Sequence, residues 1–330
     1  PARESAATTT ADYVRPWRHM AKYVGGAESV KVQRRTQSAD ELNTSPISVA
    51  EVIEAINWLK SNTAPGGDKI PPALFKTAPE EMGALLCDLF NRCWGLGVTA
   101  QPWRRALVRM LYKAGSVHDV SNYRGISLLD VMGKLYERVA YCRLEEQLVH
   151  RGALPEEMFG FISKHGQNHA LYTAYESIKH NRRIGKTVVV CSADVRKAYP
   201  SMNRAQMLHE LKQLGVGNNL FHAIASMYED NRSQVLTSED GVTSTEYSVE
   251  NGLREGAACS PLLYVVFCTG LIKKLKSGPT AALGMTVGSE WMGAQMWADD
   301  LLLMTAHESA AVAKQQMVQM QEVLLADAHE

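Results

Sequence analysis

Two adjacent carboxylates, Asp299 and Asp300, lie between apolar segments near the carboxyl end of the chain. The apolar flanks predict two strands, and the Asp pair predicts the tight turn that joins them. Adjacent carboxylates repel each other unless a cation holds them, and proteins usually hold Mg²⁺ with one or two carboxylates together with substrate phosphates. Taken alone, such a pair is more often an exposed turn than a metal site, so its meaning depends on the rest of the chain.

A third carboxylate ends another apolar segment about a hundred residues upstream. Residues 188–193 predict a buried strand, and Asp194 follows directly. The two acidic positions can meet only if their strands are neighbours in one sheet. That arrangement would form a two-metal site for phosphoryl transfer, in which one ion activates the attacking oxygen and both stabilise the developing charge.

Short segments of the chain follow the order and rough spacing of polymerase motifs. Palm motifs A, B and C are resembled by residues 194–199, 252–263 and 297–300. Blocks typical of the reverse transcriptases of non-LTR retrotransposons are resembled by residues 64–71, 122–129, 133–138 and 159–161. The resemblance covers roughly residues 46–306, and several blocks in the right order are far more specific than any one of them.

The resemblance implies an α+β right-hand polymerase fold with fingers and palm subdomains. It divides the chain into a polar lead-in or linker at 1–45, a fingers-like region at 46–185 and a palm at 186–330. The family's later palm motifs and thumb would follow Glu330, and a start without Met predicts a fragment of a longer product. The residues themselves also favour α+β, because strands, hairpins and helices are mixed without βαβ repeats.

The resemblance also implies which residues hold metal. Asp194 and Asp299 match the family's metal-binding carboxylates, and Asp300 belongs to the same motif. Adjacent strand residues face opposite sides, so Asp300 either assists or points away. The implied cofactor is a pair of Mg²⁺ ions, with Mn²⁺ as an alternative.

Further residues are implied to contact the nucleotide. Lys113 and Arg124 match basic fingers residues that approach the incoming triphosphate, and both side chains suit phosphate oxygens. Tyr199 matches an aromatic residue that closes against the sugar 2′ position, where a ring would exclude ribonucleotides. Glu255 and Gly256 lie in motif B and are implied to contact the same substrate.

Three positions depart from the family pattern. Glu255 stands where Gln is usual, and an ionised Glu only accepts hydrogen bonds and adds negative charge beside a triphosphate. Trp297 replaces a Tyr or Phe, which keeps a large aromatic residue at the predicted primer end. Ile162 replaces a frequent Arg, which removes a template contact. The first departure predicts reduced activity.

The expected function is that of an RNA-directed DNA polymerase in retrotransposition, with template RNA, primer DNA and deoxynucleoside triphosphates as partners. One alternative is a catalytically weak RNA-binding scaffold derived from such an enzyme, which Glu255 and the neutral net charge favour. Another is a palm polymerase with a different template or sugar preference, which Tyr199 opposes. The sequence does not indicate an oligomeric state.

Bulk properties narrow the setting. The chain carries 35 Lys and Arg against 35 Asp and Glu, so it lacks the excess positive charge of a strongly basic nucleic-acid binder. Six cysteines without CxxC spacing predict reduced thiols in an intracellular protein, found in cytoplasm and nucleus. No apolar run approaches the length of about 18 residues that spans a membrane. Local basic clusters remain, at Arg104, Arg105, Arg109 and Lys113 and at Lys179, Arg182, Arg183 and Lys186.

Periodicity and capping predict the secondary structure. A capping box at Ser48 and Glu51 predicts a helix that ends near Asn62. A strand over 103–113 and a hairpin around Asp240 and Gly241 are expected, the latter from strands 234–237 and 247–249. The other helices are predicted at 79–94, 134–147, 168–180, 204–214, 219–230, 260–276 and 308–328.

Overall fold

The computed structural model describes residues 39–163, 165–195, 198–236 and 243–327. They form two compact units, each drawn from two stretches of chain. The sheet unit takes its residues from 37–153 and 197–267, and the hairpin unit takes its residues from 154–196 and 268–330. Most of the lead-in at 1–45 lies outside the described residues, as do Asp240 and Gly241. The division into fingers and palm at residue 185 stays a prediction.

The described residues contain helices of very different lengths. In chain order the α-helices are α1 (Ala39–Thr44), α2 (Val49–Trp58), α3 (Pro72–Phe75), α4 (Pro79–Leu96), α5 (Val131–Glu145), α6 (Gln167–Arg183), α7 (Ala198–Ser201), α8 (Arg204–Gln213), α9 (Asn218–Ser226), α10 (Ser260–Lys276), α11 (Gly278–Ala281) and α12 (Ala310–Asp327). Short 3₁₀ segments occupy Gln101–Arg104 and Val120–Asn122, and a π-helical turn at Glu146–His150 continues α5.

The strands are shorter and form separate sheets. In chain order they are β1 (Arg105–Tyr112), β2 (Tyr123–Leu128), β3 (Thr187–Asp194), β4 (Arg232–Leu236), β5 (Tyr247–Ser248), β6 (Thr286–Val287), β7 (Glu290–Trp291), β8 (Ala294–Trp297) and β9 (Asp300–His307). The mixture of helices and mainly antiparallel strands confirms the α+β class.

The sheet unit is built on four strands in the order β2-β1-β4-β5. Strand β1 pairs antiparallel with β2 and parallel with β4, and β4 pairs antiparallel with β5. Helices α2, α4 and α5 pack on one another. Three buried rings join α4, the Gln101–Arg104 turn and α5, since the centroids of Phe90, Trp103 and Tyr136 lie 5.4 to 5.7 Å apart. These contacts fix the ends of β1 and β2 within the unit.

Helix α2 begins at the predicted capping box. The Ser48 hydroxyl accepts the Glu51 N–H at 3.3 Å, and the Glu51 carboxylate accepts the Ser48 N–H at 2.8 Å. The same carboxylate pairs with Arg143 of α5, whose Nε lies 2.7 Å away. Burial opposes ionisation of Glu51, but the hydrogen bonds and charge of Arg143 outweigh it and lower the pKa of Glu51. The cap therefore also joins two helices.

The hairpin unit is built on three antiparallel strands in the order β3-β9-β8. Helix α6 packs on β3 and β8, and α12 packs on β3 and β9. The core on the α6 side of this sheet is rich in methionine and consists of Ala174, Met285, Val287, Met292 and Met304. No helix among the described residues is long and apolar enough to cross a membrane.

Most of the predicted elements are confirmed, with boundaries that move by a few residues. The helix after Ser48 ends at Trp58, earlier than predicted, and β4 pairs with β5 as the expected hairpin. The six cysteines are free, and four of them are buried.

Two expectations about the acidic strands are wrong in detail. Strand β3 exists but is not buried: α6 and α12 contact it from opposite faces, since Val188 packs in the core beside α6 and Cys191 contacts Gln321 of α12, yet Val190 is 43% exposed. The tight turn consists of Ala298 and Asp299, whereas Asp300 already belongs to β9 and pairs with Trp297. The sequence prediction placed both carboxylates in the turn, because apolar flanks mark a hairpin without fixing its register.

Candidate active site

The acidic positions of the chain meet at one end of the three-stranded sheet. Strands β3 and β9 are direct neighbours, and Asp194 lies opposite Asp300 in their antiparallel register. Directly opposed residues project to the same face, with Cβ atoms about 4.5 to 5.5 Å apart. Asp299 occupies the turn, and its carbonyl accepts the Val195 N–H at 3.4 Å. The expected adjacency of the two strands is confirmed, and the register brings Asp300, rather than Asp299, opposite Asp194.

These three carboxylates are exposed to solvent. Within the described residues, no hydrogen bond or ion pair engages the side chains of Asp194, Asp299 or Asp300. The same residues contain no group of three or more His, Cys, Asp and Glu side chains placed to hold a metal ion. The site is therefore a pair of opposed carboxylates with a third on the adjoining turn.

The turn that carries Asp299 is supported by residues 159–161, the Phe-Gly-Phe block. Phe159 donates its N–H to the Met296 carbonyl at 2.9 Å, and Met296 donates its N–H to the Glu157 carbonyl at 2.9 Å. A Cβ atom on Gly160 would lie 2.1 Å from the backbone nitrogen of Ala298. Only glycine allows this approach, so the block acts as a backbone support for the acidic turn.

The turn itself has an unusual backbone. Ala298 has a φ of 53°, in the left-handed region that residues with a Cβ rarely adopt. The close approach of Gly160 supports this conformation from outside the hairpin. Sequence reasoning identified the Phe-Gly-Phe block by resemblance but missed this role, which only the register of β8 reveals. Ile162, which follows the block, is buried and packs inside the unit.

In the sheet unit, the motif B segment runs beside β2. The Ser127 N–H donates to the Glu255 carbonyl at 3.0 Å, and Gly256 has a φ of 103°. A Cβ atom on Gly256 would lie 2.9 Å from the Ser127 carbonyl oxygen, so both the conformation and the close approach require glycine. The structure therefore brings the predicted residues Glu255 and Gly256 to the strand that carries Arg124.

Glu255 forms an ion pair that the sequence does not reveal. Its Oε2 atom lies 3.4 Å from Nε of Arg124, and the two side chains are 21% and 55% exposed. Arg124 is the residue predicted to approach the triphosphate. The carboxylate that departs from the family pattern thus already has a cationic partner within the unit.

Lys113 lies at the end of the same β-hairpin as Arg124. Its N–H donates to the Asn122 carbonyl at 2.8 Å, directly beyond the paired residues Tyr112 and Tyr123. Lys113 is exposed. The hairpin therefore carries both basic residues that the sequence predicts to contact phosphate.

Tyr199 is held against the motif B segment and a neighbouring ring. The Tyr199 carbonyl accepts the Leu253 N–H at 2.8 Å, and a Cβ atom on Gly252 would lie 2.6 Å from that carbonyl. The Tyr199 ring packs edge-on against Tyr264, with centroids 5.6 Å apart. The ring is half-buried, so part of its surface stays available to a ligand.

Comparison with known proteins relates these features to one family. The family model described as "Reverse transcriptase (RNA-dependent DNA polymerase)" matches residues 112–328. The "RNA-directed DNA polymerase from mobile element jockey" of Drosophila funebris is 27% identical over 269 residues, which make up 80% of the chain and 28% of that protein.

Two further relatives come from other mobile elements. The "Probable RNA-directed DNA polymerase from transposon X-element" of Drosophila melanogaster is 26% identical over 258 residues, 76% of the chain and 28% of that protein. The "Retrovirus-related Pol polyprotein from type-1 retrotransposable element R2" of Popillia japonica is 26% identical over 208 residues, 63% of the chain and 28% of that protein. The chain thus spans less than a third of the length of these relatives.

Proposed function

Because the chain belongs to the reverse transcriptase (RNA-dependent DNA polymerase) family, we propose that it carries the polymerase centre of an RNA-directed DNA polymerase active in retrotransposition. The relatives are polymerases of non-LTR retrotransposons, which confirms the family expected from the motifs. In the proposed reaction, a primer 3′-hydroxyl attacks the α-phosphate of a deoxynucleoside triphosphate, and pyrophosphate leaves.

One observation carries this proposal: the register of β3 and β9 sets Asp194 opposite Asp300, with Asp299 on the adjoining turn. Two carboxylates side by side on exposed strands are unfavourable unless a cation is bound, since like charges directly opposite each other destabilise a sheet. A protein without a use for the charge would gain stability by replacing either residue. The retained pair therefore supports a cation-dependent reaction.

The donor set fits divalent ions that prefer oxygen ligands. Mg²⁺ keeps several water molecules and uses one or two carboxylates plus substrate phosphates, so an opposed pair suffices without a larger protein cage. Asp194 and Asp300 would hold the ions, with Asp299 as a further ligand, and Mn²⁺ would suit the same oxygens. Bound there, two such ions would activate the attacking hydroxyl and stabilise charge on the transferred phosphoryl group.

The sheet unit would supply the contacts to the nucleotide. Arg124 offers a planar fork to phosphate oxygens and Lys113 offers a point charge. The Tyr199 ring packs edge-on against Tyr264, and it would close against the sugar 2′ position. On this proposal the four-stranded sheet belongs to the fingers, the acidic hairpin belongs to the palm, and the protein acts in cytoplasm and nucleus.

Primer extension on an RNA template tests the proposal, using the full-length product that contains this chain. Template-directed incorporation of deoxynucleotides that requires Mg²⁺ or Mn²⁺ is the expected result. Tight RNA binding without any extension, in the presence of either ion, would instead favour the RNA-binding scaffold. Extension that prefers ribonucleotides would indicate a palm polymerase of another specificity.

A further inference from the structure

A buried ion pair anchors the segment that carries Glu255 and Gly256. The guanidinium of Arg254 contacts the carboxylate of Glu137, a residue of α5, through Nη2 and Oε1. The two side chains are only 5% and 4% exposed. Nη1 of Arg254 also donates to the Trp103 carbonyl at 2.9 Å. The pair is therefore inside the unit, while the residues that follow Arg254 lie along β2.

The Glu137 carboxylate contacts the segment at two points, one on each side of Glu255 and Gly256. One carboxylate oxygen binds the Arg254 side chain, and the other accepts the Ala258 N–H at 3.1 Å. Glu255 and Gly256 lie between these two points of attachment. A single buried carboxylate thus fixes the beginning and the end of the short stretch that faces Ser127 and Arg124.

Neighbouring groups complete the attachment. The Ser260 hydroxyl donates to the Arg254 carbonyl at 2.8 Å, and the Cys259 thiol donates to the Glu137 carbonyl at 3.1 Å. Burial raises the pKa of the Cys259 thiol, which keeps it protonated as a donor. The Tyr228 ring lies 5.8 Å from the guanidinium carbon of Arg254. The segment is thus held by side chains from outside it as well as by its own backbone.

Stability alone does not account for such a pair. Desolvation of two buried charges offsets most of their attraction, so apolar replacements of similar volume are often neutral or stabilising. Buried charges do, however, restrict a segment to one geometry, because any displacement leaves a charge unpaired. This pair adjoins Glu255 and Gly256, which are predicted substrate contacts, so its fixed geometry points to a role in substrate binding.

We propose that Glu137 and Arg254 are positioning residues for nucleotide binding, which fix Glu255 and Gly256 against β2 and thereby set the position of Arg124. The inference rests on the proposed polymerase function, since it concerns the same substrate. Both side chains are buried, so neither would touch the nucleotide. Their effect passes through the Glu255 carbonyl to Ser127 and through the Glu255 carboxylate to Arg124.

A double variant separates positioning from stability. Glu137→Met combined with Arg254→Met replaces the ion pair by apolar side chains, whereas either change alone would leave a buried charge without a partner. The double variant is expected to fold, with a melting temperature lowered only by the loss of partners for the Ala258 N–H and the Trp103 carbonyl. Its KM for the nucleotide should rise roughly ten- to hundredfold, the scale of a misplacement by about 1 Å, with a smaller change in kcat.

The sheet unit offers a matched control. Glu51 and Arg143 form another ion pair, with side chains 25% and 2% exposed, but they hold the start of α2 instead of motif B. Glu51→Met combined with Arg143→Met should leave the KM unchanged. If the natural protein extends primers normally and the KM of the Glu137 and Arg254 double variant is unchanged, the inference is overturned.

Amide hydrogen exchange gives a readout that does not require activity. The Ser127 N–H is bonded to the Glu255 carbonyl, so its exchange should accelerate when the anchor is removed. If the double variant fails to fold, Glu137→Gln replaces one of the two acceptor oxygens by an amide nitrogen and should accelerate the same exchange to a smaller degree. Unaltered exchange at Ser127 in the folded variant would contradict the inference, whereas absence of extension by the natural protein would contradict only the proposed function.

Discussion

The acidic hairpin, formed by β8 and β9 beside β3, differs from the motif B segment, residues 252–263, in whether its charged side chains are paired. In the hairpin unit, Asp194, Asp299 and Asp300 are exposed and have no side-chain partner among the described residues. In the sheet unit, Arg254 is buried against Glu137, and Glu255 is paired with Arg124. One region leaves its charges unpaired and the other neutralises them.

The difference follows from what each region would bind. A carboxylate that holds a metal ion must offer free oxygen atoms, so an existing ion pair would compete with the ligand. Its geometry must then come from the backbone, as it does where Gly160 meets Ala298. A segment that contacts a substrate through its shape benefits instead from charges that fix it in place. The hairpin is fixed by backbone contacts, and the motif B segment by side-chain pairs in addition to backbone contacts.

The largest expected effect comes from removing the unpaired charge. Asp194→Asn, Asp300→Asn and Asp299→Asn should each abolish primer extension, because a neutral amide is a poor ligand for Mg²⁺. Replacing a residue of the outer shell of a metal site, which removes no ligand, typically lowers activity about 10- to 100-fold. Because these variants remove a ligand, the loss should be roughly ten times larger. Extension assays at saturating Mg²⁺ measure it.

The same variants should fold at least as well as the natural protein without metal. Asp194→Asn relieves repulsion across the β3–β9 pair, so thermal unfolding should occur at the same temperature or slightly higher. Asp88→Asn, at a position 85% exposed on α4, is the matched control and should change neither quantity. Normal extension by an Asp194 or Asp299 variant would exclude that residue as a metal ligand.

The next effect comes from the backbone support of the turn. Gly160→Ala places a methyl group 2.1 Å from the Ala298 nitrogen, so the turn must move. Overpacking of this kind costs about 1 to 3 kcal/mol of stability, and a displacement of about 1 Å at a reacting centre can lower the rate about 100-fold. Extension rates and thermal unfolding of the variant measure the two consequences.

Gly95→Ala controls for the glycine itself. Gly95 lies inside α4 with nothing within 4 Å of the added methyl group, so this change should leave extension unaltered. It should also stabilise the helix by about 0.5 to 1 kcal/mol. Full activity of the Gly160 variant would show that the turn does not depend on the Phe-Gly-Phe block.

A smaller effect is expected at Tyr199, whose backbone is fixed but whose ring faces both Tyr264 and solvent. Tyr199→Ala should raise the use of ribonucleotides relative to deoxynucleotides by about 10- to 200-fold, the range of one steric contact in a pocket. The ratio of kcat/KM for the two sugars measures it. Tyr199→Phe keeps the ring and should keep the discrimination. If the ratio stays constant in the Ala variant, the ring only packs against Tyr264.

The sequence predicts the elements of the fold well, because their signals are local. The capping box at Ser48 and the apolar periodicity of α4 and α10 depend on neighbouring residues, and these helices lie close to where they are expected. The exposure of β3 could not be predicted, because an apolar run is the same in a strand whose neighbours cover it completely and in one whose neighbours cover it only in part.

The candidate site is predicted less completely, because its geometry depends on register and on distant partners. The motifs identify Asp194, Asp299 and Asp300 as a group, but only strand pairing shows that Asp194 opposes Asp300. The partner of Glu255 lies 131 positions away in the chain, and that of Arg254 lies 117 positions away. Composition and spacing carry no record of such pairs.

The smallest expected effect, and the sharpest test of the comparison, concerns Glu255. If its carboxylate holds Arg124 away from the triphosphate, Glu255→Gln should free the guanidinium and lower the KM for the nucleotide. The side chains are nearly isosteric, so packing should barely change. An ion pair this exposed is worth at most about 1 kcal/mol, which limits the gain in kcat/KM to roughly fivefold. The gain should shrink as salt is added, because exposed charges are screened.

A double-mutant cycle shows whether the effect passes through Arg124. Arg124→Gln alone should raise the KM, because a phosphate contact is lost, and in that background Glu255→Gln should have little further effect. Equal or lower efficiency of Glu255→Gln in the natural background would show that the carboxylate is adapted to this site. A full gain without Arg124 would mean that Glu255 repels the triphosphate directly. The motif B segment would then carry an unpaired charge toward its ligand just as the hairpin does, and the contrast between the two regions would hold only for the buried pair of Glu137 and Arg254.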